Sequence, residues 1–231
     1  MGRSLELSTR KEDTRNKIVP VIVRFEMAEI KQHFDESMSV VDEMFAVAKG
    51  LLDEGNETQA ENIWRAQVVF IVSAFDFFMH EITKFGLGKI FDGSWKPTIK
   101  YNNINIKLSV LNEVLKNGES SEWFIEFVNE QFAKTTMVSY TEVKEQINLL
   151  GLDIQVLADD TFYQLGSKEK TINQLKNCLN GLFFKRNVIA HQSDRKHANA
   201  EIMEITEELV RGYLKDMNKI VDGIVQQINQ K

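Results

Sequence analysis

The segment Lys185-Arg186-Asn187-Val188-Ile189-Ala190-His191-Gln192-Ser193-Asp194-Arg195-Lys196-His197 stands out because an apolar run suddenly gains a guanidinium, an amide and an imidazole. It carries four Lys or Arg against one Asp, a local charge of +3 in a chain of net charge −6. Such a patch can dock a phosphate through charge-assisted hydrogen bonds, although the field of the whole molecule repels nucleic acid. Asn187 and His191 are four apart and share a helix face, whereas Arg186 and His191 are five apart, about 140° around an ideal helix. Arg186 and His191 therefore do not converge within one straight helix. Either the helix ends or bends before His191, or two copies of the segment face each other across a symmetric dimer.

The second arrangement puts two Arg and two His in one cleft, the parts needed for metal-free RNA cleavage. A His base takes the 2′-OH proton, a His acid protonates the leaving 5′ oxygen, and Arg steadies the charged phosphorane. DNA lacks that nucleophile. The plainer reading is that Arg and His favour the last turn of a helix, where they complement its negative dipole end. In a chain with eight Arg and four His, Arg-x4-His arises by chance about 0.14 times, and about 0.01 times when Asn must follow the Arg.

Other chemistries lack their residues. Gly88-x-x-x-x-Gly93 has Ser94 where a phosphate-binding loop needs Lys, and no strand pattern precedes it. No Glu has His three residues later, as an inward-facing di-iron site requires, and no Cys/His cluster has zinc spacing. No metal or cofactor is expected. There is no Gly-x-Ser-x-Gly elbow, and Cys178, the one cysteine, sits among apolar positions as packing rather than as a nucleophile. A single Cys also excludes an internal disulfide framework and fits a reducing cytoplasm.

The elements that must position the motif read as helices. With 231 residues, 43% hydrophobic and 27% charged, the chain is long enough for a real core, and 2 Pro with 12 Gly disfavour a many-stranded barrel. The longest apolar stretch, Val68 to Met79, contains Asp76 and is far shorter than the roughly 20 residues of a membrane span. Met1 to Asp13 has no apolar signal core, so neither export nor anchoring is expected. Residues 1–17 read as a polar leader with a short helix at Thr9-x-x-Glu12. Apolar residues at threes and fours predict helices over about 18–52, 59–91 (opened by Thr58-x-x-Glu61), 104–117, 121–135, 140–150 (opened by Ser139-x-x-Glu142), from 168 through the motif, and 198–230. Residues 92–103 read as a loop exposing Trp95 and Tyr101, and 151–167 is ambiguous.

The motif RNVIAHQSD resembles that of the HEPN superfamily, an Arg, often followed by Asn, His or Asp, with His near the end of a bundle helix. The upstream helix VVFIVSAFDFFMHEI, carrying Asp76, His80 and Glu81, looks like the corresponding helix of the RiboL-PSP-type branch. Together with the long C-terminal helix the resemblance covers about residues 59–231. It implies an all-α, HEPN-type helical bundle, here with an additional long N-terminal helix over 18–55 ahead of a core at 59–231, all one domain from 18 to 231. It also implies a homodimer with a composite cleft and a metal-independent endoribonuclease that leaves 2′,3′-cyclic phosphate and 5′-OH ends. Members are commonly toxins or antiviral, abortive-infection effectors, so an antitoxin or defence-complex partner is implied as well. Ser193 stands where members paired with nucleotidyltransferase antitoxins often carry Tyr, so adenylylation there is unsupported.

Carried over residue by residue, Arg186 and His191 are the catalytic pair and Asn187 holds His191 or the phosphate. Asp76, a carboxylate in the middle of an apolar helix, needs a partner; Arg186, His191 or His80 are candidates, the alternative being a half-exposed place at a helix crevice. His80 shares its face, as a site member or as a hydrogen-bonded core histidine. Lys185, Arg195 and Lys196 are candidates for the RNA backbone. The competing function is a HEPN-like module that binds RNA, a nucleotide or a protein without cleaving, and a third reading is a purely structural adaptor.

Overall fold

The structure, a computed structural model, describes residues 24–117, 122–195 and 200–231. Among them the chain forms nine helices and no strand: α1 (Met27–Asp53), α2 (Glu57–Phe91), α3 (Ile99–Asn102), α4 (Leu108–Asn117), α5 (Glu122–Phe132), α6 (Tyr140–Leu149), α7 (Ile154–Phe162), α8 (Thr171–Gln192) and α9 (Glu207–Asn229). The all-α bundle is as expected.

α1 buries Met27, Ile30, Phe34, Met38, Val41, Phe45 and Ala48, a single stripe laid along α2. It begins at Met27, behind Glu26, whose backbone is extended and whose N–H donates to the Glu29 carboxylate; residues 18–23 of the expected helix lie outside the described residues. The expected leader helix at Thr9 lies outside the described residues. α2 is buried on most sides and, at 35 residues, is about 52 Å long, the spine against which α1, α5, α8 and α9 pack. Its cap position is Asn56, with Glu57 already helical, so the expected capping box at Thr58 does not open it. The box at Ser139 does open α6, whose Glu142 N–H donates to the Ser139 hydroxyl.

Three segments depart from expectation. The loop after α2 is not splayed into solvent. Trp95 meets Phe85 edge-on at 5.9 Å, Tyr101 packs on Phe124 at 6.1 Å, and Thr98 caps the one-turn α3 while donating to the Leu149 carbonyl. The ambiguous 151–167 holds α7, capped by Asp153, which buries Leu157 and Ala158 between α8 and α9. α9 starts at Glu207 behind the Thr206 cap, not near 198, so Ile202 and Ile205 precede it. Ile202 instead forms an isolated antiparallel bridge with Arg195. No described helix is long and apolar enough to cross a membrane.

Candidate functional site

α8 runs unbroken through the motif to Gln192, so no bend brings Arg186 to His191 within one chain. Arg186 is half-buried, and its Nη1 donates to Asn187 Oδ1 at 2.9 Å. Asn187 thus holds Arg186 rather than His191. His191 is exposed, and among the described residues its ring has no hydrogen-bond partner. It continues a spacing of fours and threes along α8 through Asn173, Asn177, Asn180, Phe184 and Asn187, a face that is mostly exposed except where Asn180 accepts from the Tyr140 N–H of α6. Phe184 is 59% exposed there.

α8 ends in an unusual cap. Ser193 and Asp194 take φ of 50° and 56°, two consecutive non-glycine residues in the left-handed region, which costs each of them on the order of 1 kcal/mol. The turn lets the Asp194 N–H reach the Val188 carbonyl and buries the Asp194 carboxylate completely. Two cations meet it there. Lys185 Nζ lies 2.9 and 3.1 Å from its two oxygens, and Arg65 Nε of α2 lies 2.8 Å from Oδ2. Their remaining donors go to backbone carbonyls of the strand-like segment before α9, Arg65 Nη2 to Met203 and Lys185 Nζ to Glu204, both at 3.1 Å. Arg65 Nη1 also reaches Glu61 at 3.1 Å. One buried carboxylate with two cations is tolerable only because each donor has an acceptor.

This arrangement corrects several expectations. Lys185 is not at the surface for an RNA backbone: it is 5% exposed and its ammonium is fully engaged. Arg195 is exposed, with Nη1 donating to the Ala200 carbonyl at 2.7 Å; Lys196 lies outside the described residues. Asp76 meets neither Arg186 nor His191. Its Oδ1 accepts from the Met137 N–H at 2.6 Å and stands 4.0 Å from His80 Nε2, which in turn contacts the Thr135 carbonyl at 2.9 Å. The pair lines a groove between α2 and α5, about 16 Å (Asp76) and 22 Å (His80) along α2 from Arg65. Asp76 thus takes the alternative, a part-exposed place in a helix crevice, with His80 the one of its three candidate partners within reach and the turn before α6 as its hydrogen-bond donor. Arg65 and Asp194 were missed as site residues: they are 129 apart in sequence, and neither sits in a pattern that names the other.

Among the described residues no three His, Cys, Asp or Glu side chains gather as metal ligands. Cys178 lies half-buried 3.8 Å from an Asp216 oxygen, and burial first, then that carboxylate, push its thiol up to about 12. It stands in no electropositive pocket, as expected of a packing cysteine.

The RiboL-PSP-HEPN family model matches residues 26–230. The chain belongs to that family. The RiboL-PSP-HEPN match begins ahead of α1 and ends at the close of α9, so it takes in the N-terminal helix together with the α2 spine and the α8 motif. No curated protein and no solved structure matches the chain.

Proposed function

We propose that this HEPN protein is a metal-independent endoribonuclease acting as a homodimer. The observation that carries the reading is the motif's setting: His191 stands exposed at the end of an unbroken α8, without a hydrogen-bond partner among the described residues, with Arg186 held by Asn187 on the preceding turns. A straight helix separates Arg186 from His191, so a second copy of α8 brought up by two-fold symmetry supplies the cleft that one copy lacks. There one His191 removes the 2′-OH proton and O2′ attacks phosphorus. The Arg186 guanidinia stabilise the phosphorane, and the other His191 gives its proton to the departing O5′. The products are a 2′,3′-cyclic phosphate and a 5′-OH. Such an activity suits a cytoplasmic toxin or abortive-infection effector, held in check by an antitoxin or a defence-complex partner.

The test is cleavage of a mixed single-stranded RNA pool by the purified protein in EDTA, beside His191→Ala checked for fold and oligomeric state. EDTA-resistant cutting with cyclic-phosphate ends, lost in the variant by at least about a hundredfold, is the expected outcome. RNA bound but never cut by a wild-type dimer replaces the nuclease with the binding module. On expression in a bacterial host the same substitution is expected to relieve growth arrest.

A further inference from the structure

The ion cluster at the end of α8 brackets the motif. Lys185 immediately precedes Arg186, and Asp194 follows His191 by three residues, so the Lys185–Asp194 pair closes across the whole of Arg186–His191. Arg65 then ties that closed segment to the α2 spine and to the Met203 carbonyl. His191 has no side-chain partner among the described residues, so its place is inherited from the backbone of the last turn. That turn is a helix end, where four carbonyls lack helical partners and fraying begins. Its cap is strained, Ser193 and Asp194 both lying at positive φ, and what holds the strained conformation is the buried carboxylate it delivers to Lys185 and Arg65.

We propose that Arg65, Asp194 and Lys185 are positioning residues for His191 and Arg186: a buried ionic lock that fixes the end of α8, and with it the geometry of the reacting groups. The inference rests on the nuclease reading for its kinetic arm only. None of the three side chains touches RNA; they act through the motif's backbone. Lys185 and Asp194 are buried and pair with each other, while the part-buried Arg65 also reaches the more exposed Glu61. Removing Arg65 therefore leaves a neutral Lys185–Asp194 pair and a Glu61 open to water, whereas removing the Asp194 charge strands the buried Lys185.

Arg65→Met is therefore the decisive variant, because it keeps an unbranched apolar stem and leaves Asp194 paired with Lys185. Asp194→Asn is the harsher companion. Each is compared with the wild type by thermal melting, by kcat and KM for RNA cleavage, and by the His191 ring resonance, assigned through its loss in His191→Ala. Arg65→Met is expected to remain folded, to lose about tenfold or more in kcat with KM little changed, and to shift and broaden the His191 signal. Arg65→Lys, which restores a charge to Asp194 but not the fork to Met203, is expected to recover part of both. A folded Arg65→Met with wild-type kcat and an unmoved His191 resonance overturns the lock. If the wild-type protein cuts no RNA, the nuclease reading falls while the resonance still decides the lock: an unmoved signal rejects it, and a shifted, broadened one supports it. If Asp194→Asn unfolds, Arg65→Met alone decides.

Discussion

At the scale of single residues, what the sequence disclosed and what it hid divide by distance along the chain. Arg186, Asn187 and His191 fall within six residues, so their types and spacing could be read directly. Asp194 sits only three residues beyond, yet its meaning depends on Arg65, 129 residues away, and no local pattern records such a partner. Lys185 misled for a related reason. Lysines are seldom buried, so a lysine beside a basic motif reads as surface, and only the fully enclosed Asp194 explains why this one is not. Asp76 takes the alternative reading, a part-exposed place in a helix crevice, with His80 of its candidate partners close by and a backbone N–H, which a sequence cannot show, as its hydrogen-bond donor. Cys178 allows a clean chemical check. With its thiol at about 12, the native protein at pH 8 is expected to react with a disulfide reagent about a thousandfold more slowly than the unfolded chain. The fold favours the neutral thiol, so that contribution to stability is complete below the ordinary thiol range. It is lost as pH rises from there towards 12. A native rate equal to the denatured one would show that burial does not govern this thiol.

At the scale of elements, most helices were legible from their apolar stripes, the ten- and eleven-residue α4, α5 and α6 among them, whereas the one-turn α3 and the nine-residue α7 were not. α1, α2 and α8 came through with boundary shifts. α7, nine residues, is too short to establish a period, and the start of α9 was extended because Ile202 and Ile205 keep helical spacing in a segment that runs extended. Packing between elements makes a prediction of opposite signs at two helical glycines. At Gly86 of α2 a Cβ would stand 2.6 Å from a Leu150 methyl and 2.9 Å from the Trp95 ring, whereas at Gly212 of α9 it would meet nothing within 4 Å. Alanine gains roughly 1 kcal/mol of helix propensity at either place, but overpacking costs about 1–3 kcal/mol where neighbours cannot yield. Gly86→Ala is expected to lower stability by about 1 kcal/mol and Gly212→Ala to raise it by a similar amount, read from paired denaturant melts. Equal shifts at both sites would mean that the α2–α6 contact is looser than its distances imply.

At the scale of the whole molecule, the proposed cleft belongs to two chains, and that has a stoichiometric signature. If wild type and His191→Ala are unfolded together, refolded at equal amounts and assayed at fixed total protein, a cleft needing both histidines retains roughly one quarter of the activity. Chains that act alone retain half. The same outcome separates a composite site from a monomeric one without any structure of the dimer. The ionic lock carries a consequence in time as well as in space. A chain is made from its N-terminus at about 5–20 residues per second, so Arg65 leaves the ribosome on the order of ten seconds before Asp194, and before Met203 and Glu204, whose carbonyls complete its surroundings. Throughout that interval Arg65 has Glu61 beside it on α2 but neither Asp194 nor the Met203 carbonyl, and the motif has no fixed end. On the proposed reading, a nascent chain short of Asp194 thus carries Arg186 and His191 without the turn that sets their geometry, although α1 to α7 have already been made.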